Sequence, residues 1–265
     1  MARYGWVMAR LGLALAAFLT MVVGVPHGFA ADDPLYGIWR GTIAVDNPRA
    51  TEPRVDTKAA LHLRSDGPSE LYVERLGHAL AVAEIFRNPS GTVDVYTAGA
   101  AIVELRNIKV AKDRFDAGAV YESDTGTVWQ GKASFARVKP LLAPSGKPKC
   151  ATVPASLAAL CGAWSGISLR GQPKLLVVEA VTHNKKKAAW ELKVKQVWGG
   201  ESDLASAGMS FPYTTYVADE ELPLVSLGLR TTGKLAYRFE VSATTLIGGS
   251  ISDAADRAVY TKATR

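Results

Sequence analysis

Few residues of this chain have the types and spacings that are typical of catalytic or metal-binding motifs. His62, His78 and His183 are far apart in the sequence, and no two of them have the spacing of a chelating pair. Ser165 lies in Gly-Ala-Trp-Ser-Gly, one position away from the serine of a nucleophile elbow. Neither an H-E-x-x-H motif nor a P-loop occurs in the sequence. The sequence therefore predicts no catalytic residue, no cofactor and no metal site.

A catalytic pair of carboxylates could still be present without any recognisable sequence motif. Two acids that converge from distant strands leave no local pattern. The acidic residues that stand out are Asp32-Asp33, Asp219-Glu220-Glu221, Asp253 and Asp256, and each is expected in a solvated turn or terminus. A hydrolase with an unrecognised acidic site is accordingly the third hypothesis, behind two non-enzymatic ones.

The two cysteines, Cys150 and Cys161, predict a disulfide. They are close in the sequence, and a lone pair of this kind in an exported chain forms a bridge. A redox pair would need the C-x-x-C spacing that lowers a thiol pKa, and a metal site would need further Cys or His nearby. A structural clamp is the preferred interpretation.

The first thirty residues have the layout of a secretory signal. Arg3 and Arg10 give a positive start, Leu11 to Val25 is apolar or neutral, and Gly28-Phe29-Ala30 supplies small residues before a cleavage point. The apolar run is too short for a membrane anchor and no later run is long enough. We expect an exported chain, periplasmic or secreted, without a transmembrane segment after cleavage.

Charge gives little reason to expect a nucleic-acid partner. The chain has 31 Lys and Arg against 25 Asp and Glu, and two of the basic residues fall in the predicted signal. The formal charge of the remainder is +4, spread without a basic stripe.

A repeated opening predicts two tandem units. Gly37-Ile38-Trp39-Arg40-Gly41 recurs as Gly162-Ala163-Trp164-Ser165-Gly166, and a segment with prolines at 140, 144 and 148 separates the two copies. The expected organisation is a signal at 1–30, one β domain at 31–139, a linker with a short helix at 140–160, and a second β domain at 161–265.

Each unit is expected to be all-β with little helix. Short alternating runs follow one another at the spacing typical of an antiparallel barrel or sandwich. In the second unit the predicted strands include 174–181, 188–198, 210–217, 234–241, 245–250 and 257–262, with His183-Asn184-Lys185 as a turn. Pro154 to Leu160 is the best helix candidate and would close one end of a barrel.

The Gly-x-Trp openings, followed by antiparallel runs, resemble lipocalin-like (calycin) domains of exported bacterial proteins. The resemblance implies that Trp39 and Trp164 are buried barrel plugs, each under a basic residue near the last strand. Arg137 is the matching position in the first unit, and Lys262 or Arg257 in the second. Both units are shorter than a full lipocalin, so the resemblance allows a smaller or partly open barrel.

Two surfaces of the second unit are candidate contact sites. The aromatic residues Trp198, Phe211, Tyr213 and Tyr216 lie near a Gly-Gly pair and are expected either in the core or at a barrel mouth. Lys185, Lys186 and Lys187 form the one charge cluster, expected either as a solvated edge or as a docking patch for an anionic partner.

Two functions therefore rank nearly equal. One is a binding protein for a small apolar or amphipathic ligand held within a barrel. The other is an envelope interaction or assembly protein that acts through its surface. The sequence sets no ligand identity and no oligomeric state.

Overall fold

The computed structural model describes residues 33–65, 67–150, 152–200 and 207–263. The predicted signal at 1–30 lies outside them. Residues 34–265 group as one unit by their contacts. No helix within the described ranges has both the length and the apolar character needed to cross a bilayer.

The first half of this unit is a closed eight-stranded antiparallel barrel, here called barrel 1. Each strand pairs with its neighbour in sequence, and β8 returns to pair with β1. A 3₁₀ turn at Glu74–Leu76 joins β3 to β4. The strands are β1 (Gly37–Asp46), β2 (Arg54–Leu63), β3 (Glu70–Val73), β4 (His78–Arg87), β5 (Val93–Ala98), β6 (Ile102–Ile108), β7 (Arg114–Glu122) and β8 (Val128–Arg137).

The second half, here called barrel 2, begins with helix α1 (Ala155–Leu160) and continues as eight antiparallel strands. Their order is β12-β11-β10-β9-β16-β15-β14-β13, and no backbone ladder pairs β12 with β13 among the described residues. The strands are β9 (Gly162–Ser168), β10 (Pro173–Asn184), β11 (Ala189–Gly199), β12 (Ala207–Ala218), β13 (Ser226–Thr231), β14 (Lys234–Val241), β15 (Thr245–Ser250) and β16 (Ala258–Lys262).

The gap between β12 and β13 is spanned by a side chain. The Thr215 hydroxyl of β12 donates to the carbonyl oxygen of Gly228 on β13, at 2.6 Å. Pro212 lies on β12, which has a ladder with β11 alone, and edge strands are where proline is tolerated in a sheet. Barrel 2 is thus a barrel-like sheet. Among the described residues, a side-chain hydrogen bond, and not a backbone ladder, links its two edge strands.

The prediction of an all-β chain with two antiparallel barrels and little helix is confirmed. Strand alternation is clear in β7, where Phe115, Ala117, Ala119 and Tyr121 are buried and their neighbours are not. Two details were wrong. Strand β13 occupies a segment in which the sequence indicates no strand, and His183 lies on β10 with the turn following at 185–188.

Trp39 closes one end of barrel 1. The indole is fully buried and its N–H donates to the carbonyl oxygen of Leu35, at 2.8 Å. The Arg137 guanidinium covers the ring, 4.2 Å from its centroid, and donates to the Tyr36 carbonyl at 2.7 Å. Burying roughly 200 Å² of indole contributes about 5 kcal/mol, and the cation adds to it.

Trp164 has the same position in barrel 2. Its indole is fully buried and donates to the Leu160 carbonyl, at 2.7 Å. The resemblance allows Lys262 or Arg257 as the basic residue over this ring, and the structure has Lys262 there. Its ammonium lies 4.1 Å from the ring centroid and donates to the Cys161 carbonyl. Trp39 and Arg137 match Trp164 and Lys262 at one offset of 125 positions.

Helix α1 and the disulfide lie beside Trp164. Leu157 and Leu160 of α1 are fully buried in the core that contains this indole. The Cys150–Cys161 disulfide predicted from the sequence is present and joins the linker to the start of β9. The bridge therefore fixes the helix over one end of barrel 2.

The interior of barrel 1 is filled by its own apolar side chains from end to end. Phe115 and Phe135 stack at 5.0 Å beside Trp39. At the opposite end Trp129 contacts the Tyr121 ring at 5.4 Å, and its indole N–H donates to the Glu52 carbonyl at 2.8 Å. A tryptophan therefore stands at each end of this barrel.

The turn between β9 and β10 contacts barrel 1. The His62 ring donates through Nε2 to the Leu169 carbonyl at 3.0 Å. Arg170 donates to the Tyr72 hydroxyl at 3.3 Å and pairs with Asp253 at 2.6 Å. Tyr72 is buried together with Ala60 of barrel 1 and Ala255 of barrel 2.

Closure of barrel 1 depends on a glycine. A Cβ added at Gly41 would overlap the carbonyl oxygen of Ser134, because β1 and β8 approach closely there. Gly41→Ala should lower the free energy of unfolding by about 3 kcal/mol or more, since backbone must shift. Urea unfolding measures the loss. Gly146→Ala, where an added Cβ meets nothing, is the control and should change stability by less than about 0.5 kcal/mol.

His62 should make the fold sensitive to acid. Burial holds the pKa of His62 below its ordinary value of 6.5, so the folded protein resists a proton that the unfolded chain accepts. Stability should therefore fall as the pH drops below 6.5, by up to about 1.4 kcal/mol for each pH unit.

His62→Gln keeps a donor for the Leu169 carbonyl and removes the titration. Urea unfolding at pH 7.5 and 5.5 should show a smaller pH effect in this variant than in the parent protein. Equal pH effects in both would contradict the assignment to His62.

Candidate functional site

Barrel 2 has a polar end opposite its Trp164 end. It lies where β10, β12, β14 and β16 begin, and it contains buried side chains of a kind that the interior of barrel 1 lacks among the described residues. On β10, Lys174 shares the inward face with Leu176 and Val178 of the core. On β11, Gln196 shares the inward face with Val194.

A buried ion pair anchors the polar end. Lys174 is 0% exposed, and its ammonium contacts the carboxylate of Asp256, which is 15% exposed. The second carboxylate oxygen accepts the Ser250 backbone N–H at 2.9 Å. Burial lowers the pKa of Lys174, and the Asp256 carboxylate opposes that shift. The two charges neutralise one another inside the sheet.

Four aromatic side chains rise from the ion pair toward solvent. Trp198 is 8% exposed and lies with its ring centroid 5.7 Å from the Lys174 ammonium. Phe211, 43% exposed, meets Trp198 edge-on at 5.0 Å. Tyr237 lies 6.2 Å from Trp198 and 6.1 Å from Tyr213. These four rings, here called the aromatic wall, run from the buried interior to the surface.

The tyrosines of the polar end keep their protons. Burial raises the pKa of Tyr213 to about 12, and it raises the pKa of Tyr237 and of Tyr260 as well. The nearby Asp256 charge acts in the same direction on all three. Each phenol is therefore a neutral hydrogen-bonding group at physiological pH.

The aromatic residues singled out from the sequence do not all meet. Trp198, Phe211 and Tyr213 belong to the aromatic wall. Tyr216 lies an odd number of positions from Tyr213 on β12 and therefore faces outward, 44% exposed. Its ring lies 4.0 Å from the Lys187 ammonium.

The lysine cluster lies away from the polar end. Lys185, Lys186 and Lys187 are exposed in the turn between β10 and β11, at the Trp164 end of barrel 2. His183, at the end of β10, contacts the carboxylate of Asp219 at 3.0 Å. These groups form a separate surface with no part in the polar end.

Sequence reasoning missed the residues that make the end polar. Lys174 opens an apolar run, Gln196 interrupts one, and Tyr237 lies on a strand whose position in the barrel the sequence does not reveal. Asp256 is not the solvated turn residue that the sequence predicts, because it binds the buried Lys174. A cation at the start of a buried strand was the one available signal.

The described residues contain no group of three His, Cys, Asp or Glu side chains placed to hold a metal ion. The polar end instead offers a paired charge, an amide, phenols and aromatic faces. These groups bind by hydrogen bonds and stacking.

Comparisons with known proteins show no family and no function for this chain. Neither protein-family profiles nor curated protein sequences match it. Among solved structures, one that resembles it is a protein of unknown function from the DUF3598 family of Nostoc punctiforme. The identity is 11%, the match covers 86% of this chain and 94% of that chain, and the TM-score is 0.26.

The ion pair gives a double-mutant test. Lys174→Met should lower the free energy of unfolding by about 3 kcal/mol, because it leaves the Asp256 carboxylate partly buried without its partner. Lys174→Met/Asp256→Asn should regain more than half of that loss. Urea unfolding at pH 7 compares the three proteins. A double variant no more stable than the single one would show that the charges do not stabilise each other.

Proposed function

We propose that this protein is an exported, non-enzymatic binding protein that holds a small amphipathic molecule at the polar end of barrel 2. One observation carries the proposal. The aromatic wall joins partly exposed rings to a buried polar floor, so one site offers both apolar contact and hydrogen bonds. Ligand sites of proteins combine these two elements.

Barrel 1 serves as the scaffold in this proposal. Its core is a cluster of apolar side chains, and the hydroxyl of the buried Thr97 is already satisfied by the backbone N–H and carbonyl of Val103. A filled interior leaves little for a ligand to contact. The division into a domain at 31–139, a linker at 140–160 and a domain at 161–265 belongs to the same proposal.

Export to the periplasm or beyond is supported by the disulfide. Such bridges persist in oxidising compartments. The lipocalin-like relationship is supported by the Trp39–Arg137 and Trp164–Lys262 contacts, which have the arrangement that the resemblance implies. In this interpretation the two barrels are tandem copies of which one kept a ligand site.

A second candidate function is binding of an anionic envelope component at the surface. A groove of about 570 Å³ lies against the linker, and its lining includes Lys147, Lys149 and Lys193 with one acidic residue, Glu179. The exposed Lys187–Tyr216 contact adds a cation and a ring elsewhere on the surface of the same barrel. Acidic polysaccharide or anionic lipid fits this surface.

Recovery of a bound compound tests the leading proposal. The full chain, expressed with its signal and purified without denaturation, should release a small molecule that mass spectrometry identifies. Trp198→Ala/Phe211→Ala should retain less than about a tenth of that compound, because two ring contacts are lost. Phe86→Ala changes an exposed ring of barrel 1 and is the control, expected to retain the compound in full.

The two candidate functions separate in the same experiment. Lys147→Ser/Lys149→Ser/Lys193→Ser, which changes the basic lining of the groove, should leave the recovered compound unchanged if the polar end holds it. Loss of the compound in the lysine variant, with retention in Trp198→Ala/Phe211→Ala, would favour the surface function.

A further inference from the structure

Gln196 is a buried amide without a partner. The residue is 0% exposed and faces the interior of barrel 2, yet neither its Nε2 nor its Oε1 has a hydrogen-bond partner among the described residues. A buried polar group that makes no hydrogen bond destabilises the folded protein. One reason for a folded protein to keep such a group is that another molecule supplies the missing hydrogen bonds.

The Tyr260 hydroxyl is a second unpaired group at the same end. Tyr260 is fully buried, and its hydroxyl has no partner in the described part of the chain. Across the sheet Tyr260 pairs with Gly166, Gly166 with Lys174, and Lys174 with Trp198. A Cβ at Gly166 would lie 2.9 Å from the Tyr260 ring, so this ring occupies the space that the glycine leaves.

The buried charges disfavour an ionic ligand. Lys174 and Asp256 already satisfy each other, so the polar end presents no net charge from this pair to an incoming ion. A charged group would lose its water without gaining a counter-ion. A neutral group loses far less hydration free energy on burial. The Gln196 amide and the Tyr260 phenol can replace the hydrogen bonds that such a group made to water.

Resting on the proposed function, we propose that Gln196 recognises a carboxamide or similar neutral amide on an aromatic ligand, with the Tyr260 hydroxyl as a further contact. Two amides pair reciprocally, because each offers an N–H and a C=O on adjacent atoms. A carboxylate offers acceptors alone and an ammonium donors alone, so each leaves half of the Gln196 amide unpaired. The aromatic wall then holds the ring that carries the amide.

Four matched probes test this assignment. 4-Fluorobenzamide, 4-fluorobenzoate, 4-fluorobenzylamine and 4-fluorotoluene share one ring and differ in the group that would face Gln196. Fluorine-19 NMR titration of the full chain, freed of any copurified compound, measures each dissociation constant. The amide should bind about 10-fold more tightly than each of the other three, as expected for two net hydrogen bonds.

Gln196→Leu keeps the approximate size of the side chain and removes its hydrogen bonds. This variant should bind the amide about as weakly as 4-fluorotoluene, while its affinity for 4-fluorotoluene stays that of the parent protein. Its urea midpoint should not fall, since the change removes an unpaired buried amide. Tyr260→Phe should weaken amide binding by a smaller factor. Gln130→Leu, on an exposed position of barrel 1, is the control and should change neither affinity.

Other outcomes overturn the inference in distinguishable ways. Equal affinity for all four probes, or an amide preference that survives Gln196→Leu, removes Gln196 from recognition and leaves binding at the polar end intact. No probe binding, with a compound still recovered from the native protein, refutes the aromatic amide class alone. No probe binding and no recovered compound refute both the inference and the proposed function.

Discussion

A buried indole under a cation is the contact on which both barrels depend. In each barrel the indole N–H binds the carbonyl four residues earlier, which fixes the incoming chain against the first strand. Arg137 and Lys262 then bring the last strand over the same ring and bind the carbonyl oxygens of Tyr36 and Cys161. The first and last strands of each barrel are thereby joined through one side chain as well as through a ladder.

The two barrels differ at the ends that lie opposite Trp39 and Trp164. In barrel 1 a second tryptophan, Trp129, completes an apolar interior. In barrel 2 the corresponding region has the Lys174–Asp256 ion pair and the buried Gln196 amide, and the described residues offer that amide no hydrogen-bond partner. Stability explains the first arrangement fully. It does not explain a buried amide that has no hydrogen bond to the described residues, and this supports the proposal of a ligand site in barrel 2.

The sequence predicts the parts of the fold that depend on neighbours along the chain. Strand alternation, the repeated Gly-x-Trp and the close cysteines each lie within a short window, and they are enough for two β barrels and a disulfide. Strand β13 was missed because its segment is short, contains Gly228 and follows Pro223 closely, which weakens the strand pattern in the sequence. It forms because β14 supplies a full ladder for it.

The candidate site was less predictable because its residues meet across the sheet. Lys174 and Asp256 are 82 positions apart. Whether they meet inside the barrel depends on the order and register of the strands between them. The aromatic wall was partly foreseeable, since residues at even spacing on β12 share a face. The same parity already places Tyr216 on the opposite face from Phe211 and Tyr213.

The edges of β12 and β13 meet without a ladder in the described residues, and this distinguishes barrel 2 from barrel 1. Barrel 1 cannot change its circumference without breaking a ladder that runs the length of β1 and β8. In the part of the chain described, the seam of barrel 2 is crossed by the Thr215–Gly228 bond, and Val217 of β12 shares an apolar core with Leu227 of β13. Parting that seam exposes two strand edges to water without breaking any ladder. Since no ladder joins β12 to β13 among the described residues, backbone hydrogen bonds constrain the circumference of barrel 2 less than that of barrel 1.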